Sequence, residues 1–387
     1  MKQLYLAATG QNRGKTTAAL GLLDGFLQRG LNAGFMKPVG QRTVIDDGEP
    51  ADEDAVLMRA TFGLPEPYSV LSPVHIPRGF TKSYIAGEVV DDLGARIAKA
   101  HARFSDHDVL LIEGTGHAGV GAVIGLSNAA VAAALGAPAI IVSEGGVGRP
   151  IDEIVLNASL FESHGVPVAG AIVNKVDIEA QPGIQGVLER GLAPYDIPLL
   201  GILPVRPILS NPTLKMILEG MKGETLHAGP DLERVIDGVA IGAMEPGHML
   251  ERVGPKTLVI VPGDREDVIL TLTTAHLMGR PRGATVPELT QPTLQLDEGH
   301  AGAAIGLVLT GGYRPRKAVI ESIRRADLFA TLVPHDTYTV ASEVHDLLVK
   351  THADDVEKIE LIKELVATNL DIERILGVAT EARIAAP

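Results

Sequence analysis

The sequence predicts an α/β protein: a doubly wound, mostly parallel sheet with a phosphate-binding loop (P-loop), then a smaller α/β domain and C-terminal helices. Three observations predict this fold. Short apolar runs alternate with helical patterns as far as residue 212. The alternation resumes after the proline-containing segment 204–212, and an amphipathic helical stripe follows near the C-terminus. The predicted domains are therefore 1–212, 213–335 and 336–387.

The first apolar run, 4–8, predicts a buried strand, and the helical pattern that follows predicts a helix ending near Gly30. Between them lies a glycine-rich loop that enters the helix through a Gly-Lys-Thr-Thr sequence. The predicted nucleotide-binding residues of this loop are Gly10, Gln11, Asn12, Arg13, Gly14, Lys15, Thr16 and Thr17.

Strand, glycine loop, lysine and helix in this order indicate a P-loop. Backbone N–H groups at a helix N-terminus converge on phosphate oxygens. Lys15 adds a charge for the β- and γ-phosphates, and the Thr16 hydroxyl is a ligand for Mg²⁺. The alternative is a tight strand-to-helix turn with an unrelated lysine, since Thr9 stands where the usual spacing has a glycine.

The second predicted strand, 32–36, ends at Lys37 and a proline. A lysine at the carboxyl end of a parallel strand points toward the crevice where ligands bind. Lys37 is therefore a candidate catalytic residue together with Lys15. The alternative is a surface lysine before a turn.

Two carboxylates are candidates for the magnesium site. Asp54 lies in the first turn of a helix predicted through Phe62, where an acid is also an ordinary partner of the helix dipole. Glu113 follows directly on the buried strand predicted at 108–112 and is itself followed by small residues. This is the arrangement expected of a carboxylate that contributes to a Mg²⁺ site beside a P-loop. The alternative role of Glu113 is to cap a helix.

The predicted strands continue at 137–143, 166–173 and 199–203, with a helix at 151–163. An Asn-Lys-x-Asp sequence follows the strand at 166–173. In many GTPases this pattern reads guanine, so Asn174, Lys175 and Asp177 are candidate base-binding residues. ATP and GTP both remain open on this evidence.

The second half repeats the α/β alternation. Strands are expected at 235–241, 257–261, 305–309 and 332–333, and helices at 213–221, 264–278 and 316–325. A last helical region carries an apolar stripe that would either cap a domain core or form a dimer seam: Val356, Ile359, Ile362, Leu365, Val366 and Ile372.

Bulk composition narrows the function classes. The 387 residues carry a net charge of −14, which argues against a nucleic-acid partner, and 45% are hydrophobic. Cysteine is absent, which excludes disulfides and thiolate chemistry. No run approaches a membrane span and the N-terminus lacks a signal-peptide pattern, so we expect a cytoplasmic protein without a membrane partner.

The first 215 residues resemble the dethiobiotin synthetase-like P-loop group, which includes the cobyrinic acid amidating synthetases. The residues that carry the resemblance are the Gly-Lys-Thr-Thr loop, Lys37-Pro38-Val39, Asp54, Glu113-Gly114 and Asn174. The resemblance implies that Lys15 and Thr16 hold phosphate and Mg²⁺ and that Asp54 and Glu113 complete the Mg²⁺ shell. It also implies that Lys37 neutralises a transferring phosphoryl group and that Asn174 contacts the base.

Departures from that group make the chain more similar to the BioD-like domain of long bacterial phosphotransacetylases. Gly40-Gln41-Arg42 replaces the usual small residues after Lys37-Pro38-Val39. In the second half, Asp264-Arg265 and Thr310-Gly311-Gly312 resemble the DRTGG domain that follows the BioD-like domain in those enzymes. Arg265 would bind an anion or pair with a neighbouring aspartate.

The resemblance implies a Mg²⁺-dependent ATP-binding protein, with GTP as the second choice, that hydrolyses nucleotide slowly and carries a regulatory DRTGG domain. We expect a homo-oligomer that does not make acetyl phosphate by itself. The alternative is an ATP-dependent ligase that activates a small carboxylate or carbamate substrate.

Overall fold

The computed structural model describes residues 1–279, 304–345, 347 and 350–381. They form two compact units. The first comprises Met1–Arg206 together with the described residues of Thr351–Pro387, and the second comprises Pro207–Lys350. Within the described residues, no helix combines the length and apolar character needed to cross a membrane.

The first unit alternates strands and helices. Its strands up to residue 206 are β1 (Lys2–Ala8), β2 (Ala33–Met36), β3 (Val39–Gly40), β4 (Thr43–Asp46), β5 (Glu49–Asp52), β6 (Val74–His75), β7 (Val109–Glu113), β8 (Ala139–Glu144), β9 (Val168–Val176) and β10 (Leu199–Pro204). Its helices in the same range are α1 (Lys15–Leu27), α2 (Glu53–Phe62), α3 (Tyr68–Leu71), α4 (Phe80–Ile85), α5 (Leu93–His101), α6 (Asn128–Leu135), α7 (Gly148–Ser163) and α8 (Ile184–Leu192).

The main sheet of this unit is parallel in the order β10-β9-β8-β1-β7-β2. The chain moves from β1 outward to β2, returns through β7 and then continues on the other side of β1 with β8. The winding direction therefore reverses at β1, which makes the sheet doubly wound. Ligands of such sheets bind at the carboxyl ends of the strands beside this reversal. The predicted fold class is confirmed.

The central strands are apolar because both of their faces are covered. All five residues of β7 are buried, and so are six of the seven residues of β1. Near-continuous apolar runs are typical of parallel strands with helices on both sides. The strand predicted at 166–173 extends to Val176, so Asn174 and Lys175 belong to β9.

Two small sheets were not predicted from the sequence. β3 pairs with β6 in parallel, and β4 pairs with β5 as an antiparallel hairpin. The hairpin turns at Asp47 and Gly48, whose φ values of 49° and 79° are the positive angles that an Asp-Gly turn favours. This hairpin leads directly into α2.

The second unit has its own sheet. Its helices are α9 (Pro207–Ser210), α10 (Leu214–Met221), α11 (Pro246–Leu250), α12 (Glu266–Gly279), α13 (Lys317–Arg325) and α14 (Thr337–His345). Its strands are β11 (Glu224–His227), β12 (Gly238–Ile241), β13 (Thr257–Pro262), β14 (Gly306–Thr310) and β15 (Phe329–Leu332). The order is β11-β15-β14-β13-β12, with only the edge strand β11 antiparallel among these described strands. One core packs α11, α12 and α13 on the sheet, and another packs α10 and α14 on its opposite face.

The chain then returns to the first unit through α15 (Val356–Asn369), α16 (Ile372–Val378) and β16 (Thr380–Glu381). β16 pairs antiparallel with the start of β1, and α15 packs along α1. The predicted apolar stripe is buried here except for Val356, which is 66% exposed. The stripe therefore covers a core within the first unit. The helices of the segment predicted as 336–387 divide between the two units, because α14 packs on the second sheet.

Candidate functional site

The loop between β1 and α1 lies at the carboxyl edge of the main sheet. Asn12 has a φ of 58° and Gly14 a φ of 91°, and α1 begins at the next residue, Lys15. Gly14 carries no side chain that could cap the helix. The first N–H groups of α1 are therefore left to water or to an anion.

Two side chains from the end of β9 hold this loop. Asn174 Nδ2 donates to the carbonyl of Arg13 at 3.1 Å, and Lys175 Nζ donates to the carbonyl of Asn12 at 3.0 Å. In a planar trans peptide the N–H points away from the C=O of the same peptide group. The N–H groups of Arg13 and Gly14 consequently point away from β9, in the orientation of an anion-binding loop.

Gly14 and Asn174 are in close contact. A Cβ added at residue 14 would lie 1.8 Å from Asn174 Nδ2, and its positive φ disfavours any other residue. A glycine is therefore required at this position for two independent reasons.

A buried cluster of charged groups lies next to the loop. Lys37 Nζ donates to Glu113 Oε1 at 2.8 Å and also to Asp54 Oδ2. Thr16 Oγ1 lies 3.2 Å from Asp54 Oδ1 and 3.1 Å from Glu113 Oε1. Four of the residues predicted from separate stretches of sequence thus meet at one point.

Burial and pairing set the protonation of this cluster. Glu113 is fully buried, and burial raises its pKa to about 7. Burial alone would lower the pKa of Lys37, but the carboxylates of Asp54 and Glu113 outweigh it and raise that pKa. The pKa of Lys15 falls to about 8 because of burial and the nearby charge of Lys37. For Asp54, the Lys37 ammonium outweighs burial and lowers the pKa.

The donor set of the cluster fits Mg²⁺ only together with a phosphate ligand. Glu113 Oε2 is buried and, among the described residues, has no hydrogen-bond partner. The described residues contain no group of three or more His, Asp or Glu side chains that would hold a metal on their own. Mg²⁺ is commonly bound by one or two carboxylates plus substrate phosphates. Thr16, Asp54 and Glu113 match that pattern.

Asp177, the third candidate base-binding residue, is placed differently from the other two. Asn174 and Lys175 reach the loop, whereas Asp177 is exposed and its Oδ1 accepts the N–H of Ala180 at 3.0 Å. Two of the three side chains therefore hold the phosphate loop, and one oxygen of the third caps a turn.

Sequence reasoning missed a second charged group at the loop. Glu144, the last residue of β8, contacts the Arg13 guanidinium through Oε2 and Lys175 Nζ through Oε1 at 2.9 Å. Glu153 on α7 lies 3.8 Å from Arg13 Nη2. The available signal was the position of Glu144, an acid at the end of the strand that neighbours β1.

The Asp-Arg and Thr-Gly-Gly segments meet at the carboxyl edge of the second sheet. Gly263 N–H donates to the Thr310 carbonyl at 3.0 Å, and a Cβ at Gly263 would lie 1.8 Å from the Tyr313 carbonyl oxygen. Gly311 and Gly312 donate their N–H groups to the carbonyls of His335 and Val333, just after the end of β15. The glycines of these segments therefore connect the tips of three adjacent strands.

Arg265 forms the ion pair that the sequence left as one of two alternatives. Its Nε and Nη2 each lie 3.0 Å from a carboxylate oxygen of Asp267, and it also donates to the carbonyls of Ala243 and Met244. A nearby open cleft of about 540 Å³ is lined by Asp264, Glu266, Asp267, Tyr313, Arg314 and Arg316.

Family models match both halves of the chain. One described as the AAA domain matches residues 2–213, and one described as the DRTGG domain matches residues 216–347. The predicted order of a P-loop domain and a DRTGG domain is confirmed.

Curated relatives agree with this assignment. Over 96% of its length the chain is 27% identical to the phosphate acetyltransferase of Pseudomonas putida, covering 51% of that protein. Over its whole length it is 26% identical to the phosphate acetyltransferase of Pseudomonas aeruginosa, covering 54%. The predicted resemblance to phosphotransacetylases is confirmed, and the chain spans about half the length of the curated relatives it matches.

Solved structures are more distant. MinD from Pyrococcus horikoshii, complexed with Mg-ADP, matches 54% of this chain and 83% of its own at 16% identity and a TM-score of 0.35. The CBS and DRTGG domains of a Clostridium perfringens pyrophosphatase, complexed with diadenosine tetraphosphate, match 50% of this chain and 86% of their own at 18% identity and a TM-score of 0.27.

Proposed function

This chain belongs to the AAA domain family, and we propose that it binds ATP with Mg²⁺, hydrolyses it slowly and carries a regulatory DRTGG domain. The observation that supports this most directly is the contact of Thr16, Asp54, Glu113 and Lys37 beside the loop. Each is a residue type that a triphosphate site uses, and none is adjacent to another in sequence.

Different residues would bind different parts of the Mg-ATP complex. The N–H groups of Arg13 and Gly14 face phosphate oxygens, and Lys15 neutralises charge on the β- and γ-phosphates. Thr16, Asp54 and Glu113 would hold Mg²⁺, which when bound would offset the negative charge of the phosphates. Lys37 pairs with both carboxylates and would provide a second cation close to the transferring phosphoryl group.

Slow hydrolysis follows from the pairing of the carboxylates. A base that activates water must be free to accept a proton in the correct position. Asp54 and one oxygen of Glu113 instead accept hydrogen bonds from Lys37 and Thr16, and the other oxygen of Glu113 is the one that Mg²⁺ would take up. We therefore expect turnover well below that of dedicated ATPases.

The test is calorimetric titration of ATP and GTP with Mg²⁺ into the wild type, Lys15→Ala and the control Lys99→Ala. Lys99 is exposed on α5, so its loss tests for a general effect of removing a positive charge. We expect Lys15→Ala, but not Lys99→Ala, to lower the affinity for ATP at least about tenfold. A tenfold loss corresponds to about 1.4 kcal/mol of binding free energy. Wild type that binds neither nucleotide, or Lys15→Ala that binds as well as wild type, would exclude the proposal.

The same titration addresses the base. We propose ATP as the preferred nucleotide, because Asp177 uses one carboxylate oxygen for the Ala180 N–H, whereas recognition of guanine by this motif uses the aspartate. Tighter binding of GTP, lost in Asp177→Ala, would reverse this choice.

A ligase is the second candidate function. Lys15 and Lys37 are both largely buried at one site, and two buried cations suit transfer of a phosphoryl group to a carboxylate or carbamate. A ligase releases ADP many-fold faster when its substrate is present. A panel of small carboxylates and of diamines with bicarbonate, assayed for ADP release, separates the two functions.

The proposal also includes a regulatory role for the second unit, self-association of the chain and a cytoplasmic location. The DRTGG domain match supports a regulatory second unit. Sedimentation equilibrium with and without Mg-ATP tests for a homo-oligomer, and cell fractionation tests the location. A monomer under both conditions would remove self-association from the proposal.

A further inference from the structure

Glu144 connects two cations at the phosphate loop. Arg13 comes from the loop itself, and Lys175 comes from the end of β9. Glu144 Oε2 contacts the Arg13 guanidinium, and Glu144 Oε1 lies 2.9 Å from Lys175 Nζ. The same Lys175 nitrogen donates to the Asn12 carbonyl at 3.0 Å. Glu144 is thus linked both to a side chain of the loop and, through Lys175, to its backbone.

This arrangement places an anion in contact with two positive charges at the loop, Arg13 and Lys175. Arg13 Nη2 also lies 3.8 Å from Glu153, so Glu144 is the carboxylate that the two cations share. The Glu144 side chain is 34% exposed, and those of Arg13 and Lys175 are 18% and 28% exposed. A single pair at such exposure is weak, but several charges that form a network fix geometry better than isolated pairs. Without Glu144, Arg13 and Lys175 would repel each other across the loop, and Lys175 would lose the partner that holds it at the Asn12 carbonyl.

We propose that Glu144 is a positioning residue for nucleotide binding, which fixes the loop amides by holding Arg13 and Lys175. This inference rests on the proposed function, because it concerns the affinity of the same loop for nucleotide. Glu144 itself does not touch phosphate. It acts through the Asn12 carbonyl, whose orientation sets the direction of the Arg13 N–H.

The test compares Glu144→Gln with Glu162→Gln in the full chain. Gln keeps the size of the side chain and removes its charge, and Glu162 is an exposed glutamate of α7. We expect Mg-ATP affinity to fall about fivefold or more in Glu144→Gln and to stay within about twofold of wild type in Glu162→Gln. Equal or tighter binding by Glu144→Gln would overturn the inference, since freed cations would then be attracting phosphate.

A double-mutant cycle shows whether Glu144 acts through Lys175. If it does, Glu144→Gln/Lys175→Met binds Mg-ATP about as weakly as Lys175→Met alone. Fully additive losses would contradict the proposed route. Amide resonances of ¹⁵N-labelled, nucleotide-free protein supply a second readout. The Arg13 and Gly14 signals should move in Glu144→Gln and not in Glu162→Gln, while the thermal unfolding midpoint stays the same.

The outcomes separate this inference from the proposed function. Wild type without nucleotide affinity refutes the proposed function. Wild type that binds Mg-ATP, with a Glu144→Gln variant that binds equally well and leaves the loop resonances in place, refutes only the role of Glu144.

Discussion

Asn174 Nδ2 occupies the position that a side chain at Gly14 would need, 1.8 Å from the site of the missing Cβ. Gly14→Ala should therefore push Asn174 away from the Arg13 carbonyl and add strain of about 1–2 kcal/mol at a left-handed backbone position. We expect at least about a tenfold loss of Mg-ATP affinity by calorimetry.

The double variant Gly14→Ala/Asn174→Ala separates the two effects. It removes the clash but keeps the strained φ of 91°. Affinity should recover in part relative to Gly14→Ala. No loss in Gly14→Ala would show that the loop adjusts freely and that the contact has no role in binding.

Lys37 is the counterion of the buried Glu113 and of the partly exposed Asp54, and its removal should destabilise the first unit. Lys37→Met leaves Asp54 and Glu113 without the ammonium that pairs with both. Breaking a buried pair by removing one partner costs about 3–5 kcal/mol. Urea unfolding of nucleotide-free protein, followed by circular dichroism, measures the change in the free energy of unfolding.

Two variants control this measurement. Lys99→Met, on the exposed face of α5, should change stability by less than about 0.5 kcal/mol. Lys37→Met/Glu113→Gln should be more stable than Lys37→Met, because one of the two unpaired charges is gone. If the double variant were the less stable one, repulsion between the carboxylates would not be the cause.

The sequence predicts the first unit well where local patterns and tertiary structure agree. Lys15 and Thr16 follow a strand and open a helix, so their position was recognisable from local order. Lys37 and Glu113 end strands that become neighbours in the sheet, and topology rules bring such residues to one edge. Their direct contact at 2.8 Å depends on side-chain reach, which no local pattern encodes.

The parts that sequence reasoning missed depend on contacts between distant residues. Glu144 and Arg13 are separated by 131 positions, and only Arg13 belongs to the recognised P-loop motif. The packing of α15 in the first unit could not be predicted, because an apolar stripe shows which face of a helix is buried but not which element covers it. The partner of α15 is the face of α1 that carries Gly21, more than 300 residues earlier in the chain.

Gly21 and Val366 determine how closely α1 and α15 pack. A Cβ at residue 21 would lie 2.3 Å from Val366 Cβ. Gly21→Ala should thus lower the free energy of unfolding by about 1–3 kcal/mol through overpacking, despite the higher helix propensity of alanine. Chemical denaturation measures the loss.

Truncating the partner should restore room for the new methyl group. Gly21→Ala/Val366→Ala is expected to be less destabilised than the sum of its single variants. Gly30→Ala is an unsuitable comparison because of its positive φ, so Ala98→Gly on α5 serves as the solvent-exposed glycine–alanine control. A stabilising Gly21→Ala would mean that the two helices are not in close contact.

His101 gives the first unit a predictable response to acid. It is buried, and its Nε2 lies 2.8 Å from Gln3 Oε1, while Gln3 Nε2 donates to the Leu135 carbonyl at 2.6 Å. The second contact orients the Gln3 amide oxygen toward the histidine, so His101 Nε2 is the donor in their hydrogen bond. Burial lowers the pKa of His101 from its ordinary value of 6.5.

The sign of the pH effect follows from this direction. Between the lowered folded pKa and 6.5, His101 binds more protons in the unfolded chain than in the folded one, so its contribution to stability rises with pH in that window and is lost as pH falls through it. Urea midpoints measured from pH 7.5 down to about 5 should fall less steeply for His101→Gln than for wild type. His164→Gln, on an exposed residue after α7, should keep the wild-type slope. A wild-type slope in His101→Gln would assign the acid sensitivity to other groups, such as His75, whose pKa burial also lowers.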